Sequence, residues 1–320
     1  MAKAKRIDNV DCGGPLRTGL MLVLNTRLEE MCAFRSAALD WSDPEGVHNM
    51  RVASRRLRGA LRDFLPYLDR RSLSTCLKKI KDIADALGNV RDHDVAIMTL
   101  ERIEKKAPAG VAEGILRLAE LRKIDREEQR IRLLPALDPE ALAKLKVKFT
   151  RALEAQAKPP RRKAVDAFGL TYQGAAASII LGRLEELEGL SDSLYHPLKT
   201  KALHDMRIAA KHVRYALEVF APCWGPGLGE FAKKVTGLQS SLGRLHDCDV
   251  WIADLGDAAA NLQSDQEATV IWLLNYFVKE RGKHLSKALE QWRKWHADDL
   301  GAKLRKRISW NASQISVHQD

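Results

Sequence analysis

The sequence predicts an all-α fold of two pseudo-symmetric helical bundles that arise from an internal duplication. Apolar residues recur at three- and four-residue spacing through most of the chain, which is the pattern of amphipathic helices. The alternating runs of β-branched residues that indicate strands are absent from the sequence. The third observation is a repeat, because nine of nineteen aligned positions are identical from His48 and from His204 onward.

The repeat covers several elements and divides the chain into halves. Residues 47–66 recur 156 positions later, and LGNVRDHDVAI at 87–97 recurs 155 positions later as LGRLHDCDVWI. A period of this length indicates a copied domain-sized unit and exceeds that of a solenoid repeat. The proline-containing run at 158–163 cannot continue a helix. We therefore expect a first helical repeat, a linker and a second helical repeat at residues 1–157, 158–165 and 166–320.

In the first half, prolines and glycines mark where helices are expected to begin and end. The pair Asp43-Pro44 is typical of a helix start. Gly88 is expected to end the third helix, and Pro108 and Pro139 separate the later ones. The predicted helices span residues 16–40, 45–66, 70–87, 92–106, 111–133 and 139–157.

The second half repeats this order of helices and breaks. Pro197 precedes its basic helix, and Pro222 with the Gly-Pro-Gly run at 225–227 follows that helix. Gly243 is expected to end the next helix, as Gly88 does in the first half. The predicted helices span residues 166–189, 197–221, 227–242, 246–261, 265–296 and 301–311.

Composition indicates a globular protein with a polyanionic partner. The chain has 320 residues, 45% of them apolar, and a formal net charge of +11. Between His48 and Lys81, ten Lys or Arg residues stand against two acids, which leaves an excess of +8. No run of eighteen apolar residues and no apolar stretch behind the basic start occur, so we expect neither membrane spanning nor export. Five scattered cysteines without a CxxC pair indicate neither a disulfide framework nor a zinc knuckle, and favour a reducing compartment such as the cytoplasm.

The repeated helix carries basic residues on one side and an apolar face on the other. At about 100° per residue, the basic residues of the first copy fall within roughly 80°. We call them the first stripe, which consists of His48, Arg51, Arg55, Arg58 and Arg62. The second stripe consists of His204, Arg207, Lys211 and Arg214, with Glu218 in the place of Arg62. The apolar faces are Met50, Ala53, Leu57, Ala60, Leu61 and Phe64, and Met206, Ala209, Val213, Ala216, Leu217 and Phe220.

Arginines one turn apart on the same helix face repel each other. In the first stripe no acid at three- or four-residue spacing neutralises them. The arrangement is favourable when a ligand supplies negative charge, and guanidinium groups match phosphate oxygens with two parallel donors. His48 and His204 are expected to add a hydrogen bond, and a charge as the pH falls. The alternative interpretations are a solvated basic surface, and histidines bonded to backbone.

Two further groups follow the stripes in sequence. The lysines of the next helix are expected either to wall the same groove or to be simply solvated. They are Lys78, Lys79, Lys81, Lys233 and Lys234. The carboxylates of the second group are Asp92, Asp94, Asp247 and Asp249. They are interpreted as helix N-caps or as partners that fix the arginine rotamers, and both roles can hold for different members.

His-Asp dipeptides at His204 and His246 are similar to those of metal-dependent phosphohydrolases. In the first copy the same places hold His-Asn at His48 and Arg-Asp at Arg91, so a metal site is not repeated. The sequence also has no Walker loop, GxSxG elbow or HExxH motif. We expect no metal, no cofactor and no enzymatic activity, and keep phosphohydrolase as a minor alternative.

These residues resemble the CHAD family, the conserved histidine α-helical domain. The family's His followed by R-V-x-x-R-R-x-R is met by His48, Arg51, Val52, Arg55, Arg56 and Arg58. The form typical of its second half is met by His204, Arg207, Ile208, Lys211, Arg214, Tyr215 and Glu218, with His212 in the place of Arg56. The Leu-Gly-x-x-x-Asp element is met by Leu87, Gly88 and Asp92, and by Leu242, Gly243 and Asp247. The resemblance covers roughly residues 16–310.

The resemblance implies that the basic helices of both halves face a shared groove or pore. It implies binding of inorganic polyphosphate, with Arg56 and His212 among the binding residues, and association with polyphosphate granules. Granule-associated proteins are therefore further candidate partners. In many relatives a triphosphate-tunnel domain is fused to this one, and its ExExK signature does not occur here. We accordingly expect a stand-alone polyphosphate binder without catalytic activity.

The main alternative is a nucleic-acid-binding helical protein. Single-strand binding without sequence preference uses aromatic side chains that stack on bases among the cations. Only Tyr215 lies near either stripe. We therefore expect nucleic acid to be no more than a weak competitor of polyphosphate.

Overall fold

The computed structural model describes residues 5, 7, 9–155, 170–259 and 264–315. Within these ranges all regular elements are helices, which confirms the predicted all-α class. The predicted linker at 158–165 lies outside the described residues. No helix in the described part of the chain combines the length and the apolarity that crossing a membrane requires.

The chain divides into two compact units, Met1–Tyr172 and Gln173–Asp320. In the first unit, α3 packs against α1, α2 and α4, and α4 also packs against α5 and α6. Its helices are α1 (Leu16–Ala33), α2 (Arg35–Leu39), α3 (Pro44–Phe64), α4 (Arg70–Glu104), α5 (Ala109–Leu133) and α6 (Pro139–Ala155). Short 3-10 helices lie at Leu65–Tyr67 and Leu134–Leu137.

In the second unit, α9 is the central helix and packs against both α8 and α10. The helices are α7 (Tyr172–Gly189), α8 (Thr200–Phe220), α9 (Leu228–Ala259), α10 (Ser264–Ala297) and α11 (Leu300–Ile315). Short 3-10 helices lie at Ser191–Tyr195, Ala221–Cys223 and Gly225–Gly227.

Gly88 and Gly243 do not end helices, and the predicted breaks at these two residues are wrong. Gly88 lies inside α4 and Gly243 inside α9, so each of these long helices joins two predicted ones. A glycine in a helix interior costs about 1 kcal/mol relative to alanine. The fully buried neighbours Leu87 and Val90 outweigh this cost, because burial of a large apolar side chain contributes about 1.5–3 kcal/mol. The predicted helix at 16–40, by contrast, is interrupted at Phe34.

The start of α3 is fixed by local sequence and by a close contact. Asp43 Oδ1 accepts a hydrogen bond from the amide of Glu45 at 2.9 Å, and Pro44 occupies the first helical position. A Cβ atom at Gly46 would collide with the backbone carbonyl of Ala37. The glycine therefore lets α2 lie directly against the first turn of α3, which holds the basic helix in place.

The two apolar faces predicted for the repeated helix are buried in both units. Phe64 in α3 and Phe220 in α8 are at most 1% exposed. The other predicted members are also buried, namely Met50, Ala53, Leu57, Ala60 and Leu61, and Met206, Ala209, Val213, Ala216 and Leu217. The core thus fixes the rotation of each basic helix about its axis. The opposite side of the helix then has to carry the stripe.

Candidate functional site

Two ion pairs define how α3 lies against α4. Arg51 Nη2 lies 3.1 Å from Asp92 Oδ1, and Arg58 Nη1 lies 3.8 Å from Asp85 Oδ1. A step of seven residues along α3 therefore corresponds to a step of seven residues backward along α4. The helices are antiparallel, as the short connection between them indicates.

This register brings the basic residues of α4 beside the first stripe. Arg55 is level with Gly88, and Arg62 is level with Lys81. Four cations of this region make no ion pair or hydrogen bond with the side chain of any described residue: Arg55, Lys78, Lys79 and Lys81. We call the first stripe together with Lys78 and Lys81 the α3–α4 surface. At about 100° per residue, Lys79 falls on a different face of α4 from Asp85 and Asp92, so the prediction that it lines the same groove is wrong.

The carboxylates near the α3–α4 surface leave much of its charge available. Asp92 and Asp85 are exposed, with 70% and 54% of their side-chain surface open to solvent. Exposed ion pairs of this kind contribute only about 0.2–1 kcal/mol. Asp63 Oδ1 is 3.6 Å from Arg62 Nε and is itself buried. A polyanion therefore meets a surface on which cations outnumber the acids.

Gly88 and Gly243 leave the same space open in both units. A Cβ atom at Gly88 would lie 3.8 Å from Arg51 Nε. Apart from the two neighbouring residues and the backbone of α4 itself, no other heavy atom would lie within 4 Å of it. A Cβ atom at Gly243 would likewise lie 3.8 Å from Arg207 Nε. A side chain at either position would therefore occupy the space beside the guanidinium group.

Arg56 is not part of the basic surface, although the family resemblance implies that it is. Its Nη1 lies 3.1 Å from Glu30 Oε1, and Glu30 Oε2 is also 2.6 Å from Arg27 Nη1. The side chains of Glu30 and Arg27 are 4% exposed. Arg56 therefore ties α3 to α1 inside the first unit.

His212 occupies the equivalent position in the second unit and makes the equivalent contact. Its Nδ1 lies 3.2 Å from Glu186 Oε1, and Arg183 Nη1 lies 2.9 Å from Glu186 Oε2. Burial raises the pKa of Glu186, but hydrogen bonds from Arg183 and His212 outweigh it and leave the pKa below its ordinary value. Neither Arg56 nor His212 is brought together with the stripe of its helix.

The second stripe is weaker than the first. Arg214 is buried, its Nε lies 3.5 Å from Glu218 Oε1, and its guanidinium carbon lies 4.7 Å from the centre of the Tyr215 ring. Lys234 Nζ lies 3.5 Å from Asp298 Oδ2. The other predicted cations of the second unit are Arg207, Lys211 and Lys233.

The two histidines at the helix starts have pKa values below that of an ordinary imidazole. Burial, and then the charge of Arg91, lower the pKa of His48. Burial, and then the charge of Arg207, likewise lower the pKa of His204. The gain of positive charge that is predicted for these histidines is therefore shifted to lower pH.

One position of the repeat that acts on the stripe histidines was not included in the predicted polyphosphate site. It is Arg91 in α4 and His246 in α9. The Nδ1 atoms of His204 and His246 are 3.1 Å apart. The signal was present in the sequence, because a basic residue precedes the first aspartate of both Leu-Gly-x-x-x-Asp elements. The prediction of the polyphosphate site used only the aspartates of these elements, and His246 was considered only as part of a His-Asp dipeptide.

The N-cap interpretation is wrong for all four aspartates, because they lie inside α4 and α9. Asp92 instead contacts Arg51. Asp94 Oδ1 lies 3.4 Å from Arg126 Nη1 on α5, and Asp249 Oδ1 lies 2.5 Å from Arg281 Nε on α10. Burial raises the pKa of Asp94, against the opposing charge of Arg91. Asp94 and Asp249 therefore join neighbouring helices instead of contacting the stripes.

The described residues contain no cluster of three or more His, Cys, Asp or Glu side chains that could hold a metal ion. The dipeptides at His204 and His246 bring two imidazoles together, and the positive charges of Arg207 and Lys211 act on both rings. What the site offers a ligand is positive charge and N–H donors.

The fold and the site define an all-α protein in which each of two units presents a basic helix against a long neighbouring helix. The family model of the CHAD domain matches residues 22–256, and the chain belongs to this family. The crystal structure of the CHAD domain from the plant Ricinus communis is similar, with a TM-score of 0.69 and 22% identity, over 89% of this chain and 94% of that one.

PptA from Streptomyces chartreusis is also similar in structure. Its TM-score is 0.64 at 16% identity, over 88% of this chain and all of the other. At these identities the two structures support the fold alone. No curated protein matches this sequence.

Proposed function

We propose that this protein binds inorganic polyphosphate through the α3–α4 surface, with a weaker second site on α8 and α9. The observation that carries the proposal is the set of cations on the α3–α4 surface that no described residue pairs with. A linear polyanion would supply the missing negative charge along the whole row. The CHAD family resemblance implies the same ligand.

The chemistry of the surface suits a chain of phosphates without bases. Arg51, Arg55 and Arg58 offer planar pairs of donors, which match phosphate oxygens. The lysines of α4 add point charges that do not require a fixed geometry. Binding would release counterions from the polymer, so the affinity should fall steeply with salt. Granule association and a groove shared by the two halves stay predictions of the resemblance.

Nucleic acid is the less favoured ligand. Tyr215, which directly follows Arg214 of the second stripe in sequence, is 5% exposed and lies beneath the guanidinium group of Arg214. Its ring therefore offers no stacking platform to a base. Competition tests the choice, because long-chain polyphosphate should displace labelled single-stranded DNA at far lower phosphate concentration than the reverse.

The test of the proposal is a charge reversal on the α3–α4 surface. The variant carries Arg51→Glu and Arg55→Glu, and its control carries Arg117→Glu, on an exposed arginine of α5. We expect the affinity for long-chain polyphosphate, measured by titration calorimetry, to fall at least about 100-fold in the variant, or roughly 1.4 kcal/mol per reversed charge. The control should bind as the wild type does. Unchanged binding by a variant with normal helical circular dichroism would refute the site.

A separate measurement tests the proposal that the protein is a binder and not an enzyme. The protein is incubated with polyphosphate and Mg²⁺ or Mn²⁺, and released orthophosphate is measured. We expect no release above the rate without protein. Release that His204→Ala abolishes would instead support the phosphohydrolase alternative.

A further inference from the structure

The second unit contains a pair of histidines in direct contact, and polyphosphate binding by arginine and lysine gives this pair no role. His204 on α8 and His246 on α9 have ring centroids 4.2 Å apart and Nδ1 atoms 3.1 Å apart. A hydrogen bond between two imidazole nitrogens needs one proton between them. One ring therefore carries its proton on Nδ1 as the donor, and the other carries its proton on Nε2.

The surroundings of the pair are mainly cationic. The charged groups that act most strongly on the rings are Arg207, Lys211, Lys201 and Asp205 on α8. Asp247 directly follows His246 on α9. On α10, Arg281 faces α9 but is paired with Asp249. Burial, followed by the charge of Arg207, lowers the pKa of His246 to about 4. The pair is therefore neutral at pH 7 while the site is empty.

Resting on the proposed function, we propose that the His204–His246 pair takes up one proton from solvent when polyphosphate binds to the second unit. The anion offsets the charge of Arg207 and Lys211, which is part of what opposes protonation. The proton adds to Nε2 of the ring that donates through Nδ1. That ring becomes an imidazolium and keeps its hydrogen bond to the neutral partner ring.

The geometry also limits the uptake to a single proton. After the first proton has been bound, both Nε2 atoms carry hydrogen and one proton remains between the two Nδ1 atoms. A second proton would have to occupy the acceptor Nδ1, where it would break the hydrogen bond and place two positive rings 4.2 Å apart. The pair therefore converts from one outer N–H donor to two, at the cost of one proton.

The first unit has a different residue in the same place. Arg91 replaces His246 and acts on His48 as a permanent positive charge. A guanidinium group does not titrate between pH 4 and 8. The two sites of the chain thus differ in kind: the first has a permanent cation where the second has one that forms on binding.

The experiment is calorimetry of the full chain with long-chain polyphosphate at about pH 5.5 in two buffers of different ionisation enthalpy. Long chains are used because only their two terminal groups bind protons in this range. The proton uptake of the wild type is compared with that of His246→Arg and His246→Gln. We expect both variants to bind and to take up fewer protons, with the difference from wild type approaching one per chain. All three proteins contain His48, so its contribution cancels when the proton uptake of a variant is subtracted from that of the wild type.

The matched control is His284→Gln, on α10. Burial and then the charge of Arg244 lower the pKa of His284, so it resembles His246 in surroundings but lies outside the pair. Its proton uptake should equal that of the wild type. Equal uptake in the wild type and the folded His246→Gln variant would overturn the inference while leaving the proposed function intact. Failure of the wild type to bind polyphosphate would overturn the proposed function itself.

Discussion

Asp92 holds Arg51 by an ion pair of 3.1 Å across the boundary between α3 and α4, although the aspartate is largely exposed to solvent. The pair has two consequences. It orients one guanidinium group of the first stripe, and under the proposed function it also places a carboxylate where a phosphate would bind. Under that proposal, Asp92 is both a positioning residue and a competitor of polyphosphate.

Replacement of Asp92 by asparagine should strengthen polyphosphate binding. The substitution removes the competing charge and keeps a side-chain oxygen that accepts a hydrogen bond from Arg51. The exposed pair contributes about 0.2–1 kcal/mol, so we expect an affinity about 1.5- to 5-fold higher at fixed salt. Titration calorimetry measures the effect, with Asp125→Asn on the exposed face of α5 as the control. Weaker binding by Asp92→Asn would show that orientation of Arg51 outweighs competition.

Gly88→Ala should make the protein more stable and a poorer binder. Alanine is favoured over glycine in a helix interior by about 1 kcal/mol, and the new Cβ makes only an ordinary contact with Arg51. The same methyl group takes space beside the guanidinium that a phosphate would use. Urea unfolding and polyphosphate titration measure the two effects. Gly256→Ala, at an exposed glycine of α9 with open space around it, should gain stability without any loss of affinity.

Glu30→Gln should destabilise the first unit far more than it affects binding. Glu30 is the shared acceptor of Arg27 and Arg56, and its neutralisation leaves the buried Arg27 without a charged partner. Loss of one member of a buried ion pair costs about 3–5 kcal/mol. The matched substitution is Glu186→Gln in the second unit, where the Glu186 side chain is 35% exposed. We expect it to lower the free energy of unfolding by less than half as much. Denaturant unfolding monitored by circular dichroism measures both. Equal losses would contradict the role of burial.

The free energy of unfolding should decrease as the pH falls below about 6.5. Burial lowers the pKa values of His48, His204 and His246 in the folded protein, so the unfolded chain binds protons that the folded one does not. This loss continues until the pH reaches the folded-state pKa, which is about 4 for His246. The melting temperature between pH 7.5 and 4.5 measures the effect. It should fall less in His246→Gln, and polyphosphate should offset part of the loss.

The helical class and the basic stripes were predictable because both depend on spacing along one helix. The three-and-four spacing of the apolar residues determines which side of α3 is buried, and the structure buries every residue predicted for that side. The arginines of the first stripe follow from the same geometry. Neither prediction requires knowledge of how helices pack.

The failures arose where a contact between helices decides the outcome. Gly88 was expected to end a helix on local propensity, but burial of its neighbours keeps α4 continuous. Arg56 belongs to the family motif, but its side chain is directed to Glu30, and only the packing of α1 on α3 reveals this. The pairing of His204 with His246 likewise depends on the register of α8 against α9.

The continuity of α4 bears on the kinetics of ligand capture. This helix has 35 residues and extends about 52 Å at 1.5 Å per residue, without a loop between Lys78 and Asp92. The segment of α4 that carries the lysines is therefore already helical before any ligand binds. If polyphosphate binds as proposed, its association requires no backbone rearrangement of α4, and we expect an association rate that is limited by diffusion and electrostatic attraction.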